Sequence, residues 1–179
     1  MIDAVKDIFR KRKLKKFASD VPTGFIPMSE IYTVNVIIDV EEPGFDLLKA
    51  DILAWGRTAG IKVNIYFLDF RKIGKEELLL TSIQTTILKK DLDWLGYPHQ
   101  DKMTGLADEP TDIFVSLVDN TSPAIDFISK CAKARFKIGR RSYEGHAFDM
   151  IIAGSQTEDL RSDSRLIFKT MLELISRIQ

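Results

Sequence analysis

A chain of 179 residues, 45% hydrophobic and 29% charged, has the make-up of one soluble globular domain that buries about 70% of the surface its unfolded form exposes. Its 26 basic and 26 acidic side chains cancel, which excludes a molecule-wide field that would gather nucleic acid. A single cysteine, Cys131, excludes an intramolecular disulfide and fits a reducing compartment. No run nears the ~20 apolar residues that cross a bilayer, so no transmembrane segment is expected and the expected location is cytoplasmic.

Ile2 to Phe17 reads as a basic amphipathic helix. Ile2, Val5, Ile8 and Phe9 lie on one side, and Arg12, Lys13 and Lys16 take the positions that would continue the stripe. Between Lys6 and Lys16 stand seven basic residues against one acid, Asp7. Lys11, Arg12, Lys13, Lys15 and Lys16 are therefore the candidates for binding a surface, either a protein partner or, more weakly, an anionic membrane or RNA. Two prolines and a glycine in residues 19–28 make a connector, so the expected organisation is helix and connector over residues 1–28 and a single α/β domain over residues 29–179.

Ile31–Val40 is rich in β-branched residues and predicts a strand, ended by Glu41-Glu42-Pro43-Gly44. Phe45–Ala59 repeats apolar residues at Leu48, Ile52, Trp55 and Ala59, one face of a helix, and Gly60 stands where a left-handed cap is wanted. Ile61–Phe70 predicts the second strand of a right-handed βαβ unit. A short strand is expected around Thr85–Leu88, followed by the segment KKDLDWLGYP, whose Trp94 is expected to pack a loop onto the domain edge rather than to stack on a base. A second βαβ unit runs through Asp112–Val118, the helix Pro123–Lys133 and Arg135–Ile138; the first of these strands lacks polar alternation, as a buried parallel strand does. Phe148–Ala153 predicts a last strand, and Asp163–Ile178 a last helix with Leu166, Ile167, Met171, Leu174 and Ile178 on one face. The expected fold is a three-layer, Rossmann-like α/β domain: an open, mostly parallel sheet with helices on both faces, plus the basic N-terminal helix.

Open parallel sheets bind ligands outside the carboxyl ends of their strands. Two strand ends are thus candidates, one carrying Asp39 and Glu41, the other Asp119 and Asn120. Neither has the glycines of a dinucleotide site or the lysine of a P-loop, so no cofactor is expected. Their carboxylates could in principle hold Mg²⁺, but helix capping and solvent-facing glutamates are the stronger reading, and no metal is assigned. The loop after Arg135–Ile138 offers Arg140, Arg141, Ser142 and His146, flanked by Gly139 and Gly145, and is the best anion-binding candidate. The two histidines stand far apart, Cys131 reads as a buried small hydrophobe, and no nucleophile elbow or Cys/His metal spacing is present; whether the chain is an enzyme stays open.

Three features together, KKDLDWLGYP, IFVSLVDNTSPAIDFISKCAKARFKIGR and the FDMII strand, resemble a family of small uncharacterised bacterial Rossmann-like proteins with a basic N-terminal helix. The resemblance covers nearly the whole chain and implies the fold but no activity. Asp112 with its strand and helix, then Ala134-Arg135-Phe136-Lys137-Ile138-Gly139, is similar to part of the N-terminal domain of bacterial heptosyltransferases. Those enzymes hold their sugar nucleotide largely in a second domain for which this chain has no room, so the similarity counts against a transferase. The leading expectation is a non-catalytic binding or accessory module with a protein partner. The alternatives are an enzyme or binder for a phosphorylated small molecule or nucleotide sugar, and a peripheral binder of anionic membrane or RNA through the N-terminal helix.

Overall fold

The computed structural model describes residues 2–72, 74, 79–154 and 163–177. Its strands are β1 (Thr33–Asp39), β2 (Lys62–Asp69), β3 (Thr86–Leu88), β4 (Thr111–Ser116), β5 (Ala134–Gly139) and β6 (Met150–Ile151). They form one sheet in the order β3-β2-β1-β4-β5-β6, and every pairing is parallel. The helices are α1 (Ile2–Phe17), α2 (Phe45–Ala59), the short α3 (Thr104–Ala107), α4 (Pro123–Cys131) and α5 (Ser164–Ser176).

Side chains alternate across the sheet, so β1 feeds both faces. Val34, Val36 and Ile38 enter a core with Ile52 of α2 and with Phe168 and Met171 of α5. Ile37 enters the other, with Leu106 of α3, Ile125 and Ile128 of α4, and Phe114 of β4. Burial on both faces accounts for the apolar run Val36-Ile37-Ile38 of β1. Local chemistry sets the helix ends. Gly60 adopts φ 68° and turns the chain out of α2, and Ser122 Oγ accepts from the Ile125 N–H ahead of Pro123 at the first turn of α4.

The predicted elements are present, with three differences. The last strand is only Met150–Ile151, because Phe148 leaves the sheet to lie over Gly139. A Cβ at Gly139 would stand 2.5 Å from that ring, so this glycine accommodates packing rather than a mobile loop. In α5, Ile167 and Met171 are buried but Leu166 is exposed, and Ile178 lies outside the described residues.

The third difference lies in KKDLDWLGYP, where Trp94 faces out, beside α1, which docks on the side away from its apolar stripe. Leu14 and Phe17 pack against the α3/α4 core. Arg10 donates from Nε and from a terminal nitrogen to the Leu95 carbonyl at 3.0 and 2.9 Å, and Lys13 Nζ meets Asp93 Oδ2 at 2.6 Å. Val5, Ile8 and Phe9 remain exposed. Within KKDLDWLGYP, Asp93 Oδ1 accepts from the Leu95 and Tyr97 N–H groups and Gly96 takes φ 80°, which shapes the turn. Tyr97 is the aromatic that packs inward, stacked on Phe127 at 4.3 Å between centroids. Trp94 points out and meets Phe9 of α1 edge-on at 5.5 Å between centroids.

Candidate functional site

Strand order reverses between β1 and β4, so the loops after these two strands flank the crevice where such sheets hold ligands. The two strand ends singled out by sequence meet there: Asn120 Nδ2 donates to Asp39 Oδ2 at 3.4 Å. Burial, with the charges of Glu41 and Asp69 behind it, raises the Asp39 pKa above the ordinary carboxylate value, although the Glu41 N–H and Asn120 oppose the shift. Glu41 itself faces solvent.

Arg140, at the end of β5, reaches into this crevice and is buried. One terminal nitrogen donates to the Leu117 carbonyl at 3.0 Å, to Glu42 Oε1 at 3.3 Å and to Ser164 Oγ; the other meets Asp119 Oδ2 at 3.2 Å. Arg141 Nε donates to Asp119 Oδ1 at 2.6 Å from a half-exposed position. Glu42 also accepts from the N–H and hydroxyl of Ser164, the first residue of α5. Its carboxylate thus sits against a helix N-terminus and a guanidinium, the two partners that a bound phosphate or carboxylate would use. Glu42 bridges the Arg140 guanidinium and the first turn of α5.

The anion loop divides in two. Arg140 and Arg141 converge on Asp119, whereas Ser142 is exposed and His146 turns to Asp149, with Nε2 3.2 Å from Oδ1. Asp149 is engaged as well by the Thr23 hydroxyl and, through Oδ2, by the Lys137 N–H. Among the described residues no group of three or more His, Cys, Asp or Glu side chains is placed to hold a metal ion. Cys131 is buried, and desolvation pushes its thiol up to about 12, which removes thiolate chemistry near neutral pH.

Of the five surface cations, Lys11, Arg12 and Lys15 are exposed and form no ion pair among the described residues. Lys16 is exposed and lies 5.1 Å from the ring of its neighbour Phe17. Lys13 does not belong with them. Asp93 holds it, with the Tyr97 and Phe127 rings 5.8 and 5.4 Å away, and this contact anchors the helix. Sequence reasoning left Glu42 facing water and did not single out Ser164. The two are 122 residues apart, and no local pattern marks a carboxylate that caps so distant a helix.

A family model, the family of unknown function DUF6913, matches residues 6–169. The chain belongs to that family. No curated protein and no solved structure matches it. The DUF6913 match takes in α1 from Lys6 onward, both crevice loops and the first half of α5, so the helix and the closed crevice fall within one family unit. Among the described residues no helix is long and apolar enough to cross a membrane.

Proposed function

We propose that this DUF6913 protein is a cytoplasmic, non-catalytic binding or accessory module of bacterial origin, with residues 29–179 as its single domain and the helix and connector of residues 1–28 as its contact element. One observation carries the reading: Glu42, Asp119, Ser164 and the Leu117 carbonyl occupy the Arg140 guanidinium in the crevice where a ligand would bind. A phosphorylated ligand would have to expel Glu42 from both Arg140 and the first turn of α5, and so lose charge-assisted bonds already made. A likeness to the heptosyltransferase N-terminal domain adds no activity to this reading. No cofactor or metal is assigned, and contact with anionic membrane or RNA through Lys11, Arg12, Lys15 and Lys16 ranks behind a protein partner.

Thermal unfolding against nucleotides, nucleotide sugars, sugar phosphates and Mg²⁺ tests the proposal. A ligand present at 100 times its Kd adds about 2.7 kcal/mol, roughly 5–10 °C in midpoint for a domain of this size. The expected result is a flat panel. A shift of that size that disappears in Arg140→Ala would overturn the module reading and make the crevice a binding site for a phosphorylated small molecule.

A further inference from the structure

The face of α1 turned away from the body has no partner among the described residues beyond Trp94, and its composition is unusual. Val5, Ile8 and Phe9 are 45%, 54% and 44% exposed, and Trp94, edge-on to Phe9, is 59% exposed. Residues three and four apart share a helix face, so Val5-Phe9-Arg12-Lys16 and Ile8-Arg12-Lys15 run along it as two adjacent rows. Apolar and basic character are therefore separated along the helix axis and not around it: the first half of the outward face is apolar and the second half cationic. The acid nearest this face in sequence, Asp7, is bonded to Arg10 at 3.3 Å.

This axial division discriminates among partners. A helix lying in a membrane interface keeps its apolar residues on one side and its cations on the other. Here Arg12 and Lys16 follow Val5 and Phe9 on the same rows, so seating the apolar half in lipid would drag those cations to the same depth, at a desolvation cost. RNA would neutralise the cations but gives Val5 and Ile8 nothing to bury against. A protein segment with apolar side chains at one end and carboxylates at the other satisfies both halves.

We propose that the outward face of α1, with Trp94, docks an acidic amphipathic helix of a partner protein, its apolar anchors on Val5, Ile8, Phe9 and Trp94 and its carboxylates on Arg12, Lys15 and Lys16. The proposal rests on the binding-module reading and names the partner's chemistry. Phe9 and Lys16 are seven residues apart, about 10 Å along the helix, so the partner helix carries its acids about two turns from its apolar pair. The face is 44–59% exposed at its apolar positions without being buried by the body, as a docking surface must be.

The test is selection of a phage-displayed library of 16-residue, helix-biased peptides on the full-length protein at 0.15 M NaCl. Enriched peptides should pair Leu or Phe at i and i+4 with Asp or Glu about two turns along. Their affinity should fall at least tenfold in Phe9→Ser, in Ile8→Ser and in the double variant Lys15→Glu/Lys16→Glu, and should weaken as salt rises to 0.5 M. Because all four positions are exposed, the variants should unfold within about 2 °C of the parent, which separates lost docking from lost folding. No enrichment, or peptides that bind all three variants as tightly as the parent, would overturn the proposal. So would co-sedimentation with vesicles of 3:1 phosphatidylcholine to phosphatidylserine that is lost in Phe9→Ser, since the face would then be a lipid surface. The nucleotide panel is independent of α1: a flat panel with a failed selection removes this face and leaves the module reading standing.

Discussion

Truncating Arg140 would leave Glu42 at the first turn of α5 without its cation, and Asp119 with Arg141 alone. Breaking a buried ion pair by removing one partner costs about 3 kcal/mol or more, so Arg140→Met should lower the unfolding midpoint by roughly 6–12 °C, read by calorimetry or urea titration. The same residue was conspicuous in the sequence as a loop cation, but its role was not. Glu42 lies 98 residues away, and proximity of that kind comes only from the sheet order.

Lys137 was not singled out by sequence. It lies on β5, buried, and donates from Nζ to the Ser129 carbonyl at 2.9 Å near the end of α4, so it caps that helix. Burial lowers its pKa from 10.5 to about 8, against the pull of Asp149. Between these values the unfolded chain binds more protons than the folded one, so this lysine makes stability rise with pH from about 8 to 10.5. Cys131 acts in the opposite sense from pH 9 upward, because its thiol holds its proton to about 12 when folded. The stability of the parent minus that of Lys137→Met should therefore climb between pH 8 and 10.5 in urea titrations, while the parent alone rises only between 8 and 9. A difference independent of pH would mean that the folded lysine keeps its ordinary pKa.

At the scale of elements, α1 was legible as a helix, while the side on which it docks was left open. By burial alone the stripe of Val5, Ile8 and Phe9 would be the side to meet the body. The body instead offers the Leu95 carbonyl and the Asp93 carboxylate, which suit Arg10 and Lys13, whose aliphatic stems bring Leu14 and Phe17 down onto the core. Asp93→Asn keeps a side-chain oxygen for the turn bonds from Leu95 and Tyr97 but loses the charge that Lys13 meets. Faster hydrogen exchange across α1, with global stability reduced by about 1 kcal/mol or less, is the expected outcome. Unchanged exchange would show that Arg10 and the packed residues hold the helix alone. β4 and α4 were read more fully, because a buried parallel strand and a Ser-Pro helix start both write themselves into adjacent residues.

For the molecule as a whole, the sequence carried the two βαβ units and the short edge strand at Thr86–Leu88, and hence the layered α/β class. It did not carry the strand order. Periodicity reports which face of an element is buried and not which neighbour lies beside it, so the adjacency of β1 and β4 had no local signature. That adjacency is what turns two unrelated loops into one crevice, and therefore what brings Asp39 and Asn120 into contact.

The same central pairing also governs the order of events as the chain is made. Thr33 and Asp112, bonded across β1 and β4, are 79 residues apart. β2 can pair with β1 soon after synthesis, but the opposite edge of β1 has no strand to join until β4 emerges. At about 5–20 residues per second that delay is roughly 4–16 s. Throughout it, the strand destined for the centre of the sheet presents an open, strongly apolar edge. The half-made protein is thus most vulnerable at the place that the finished one buries most completely.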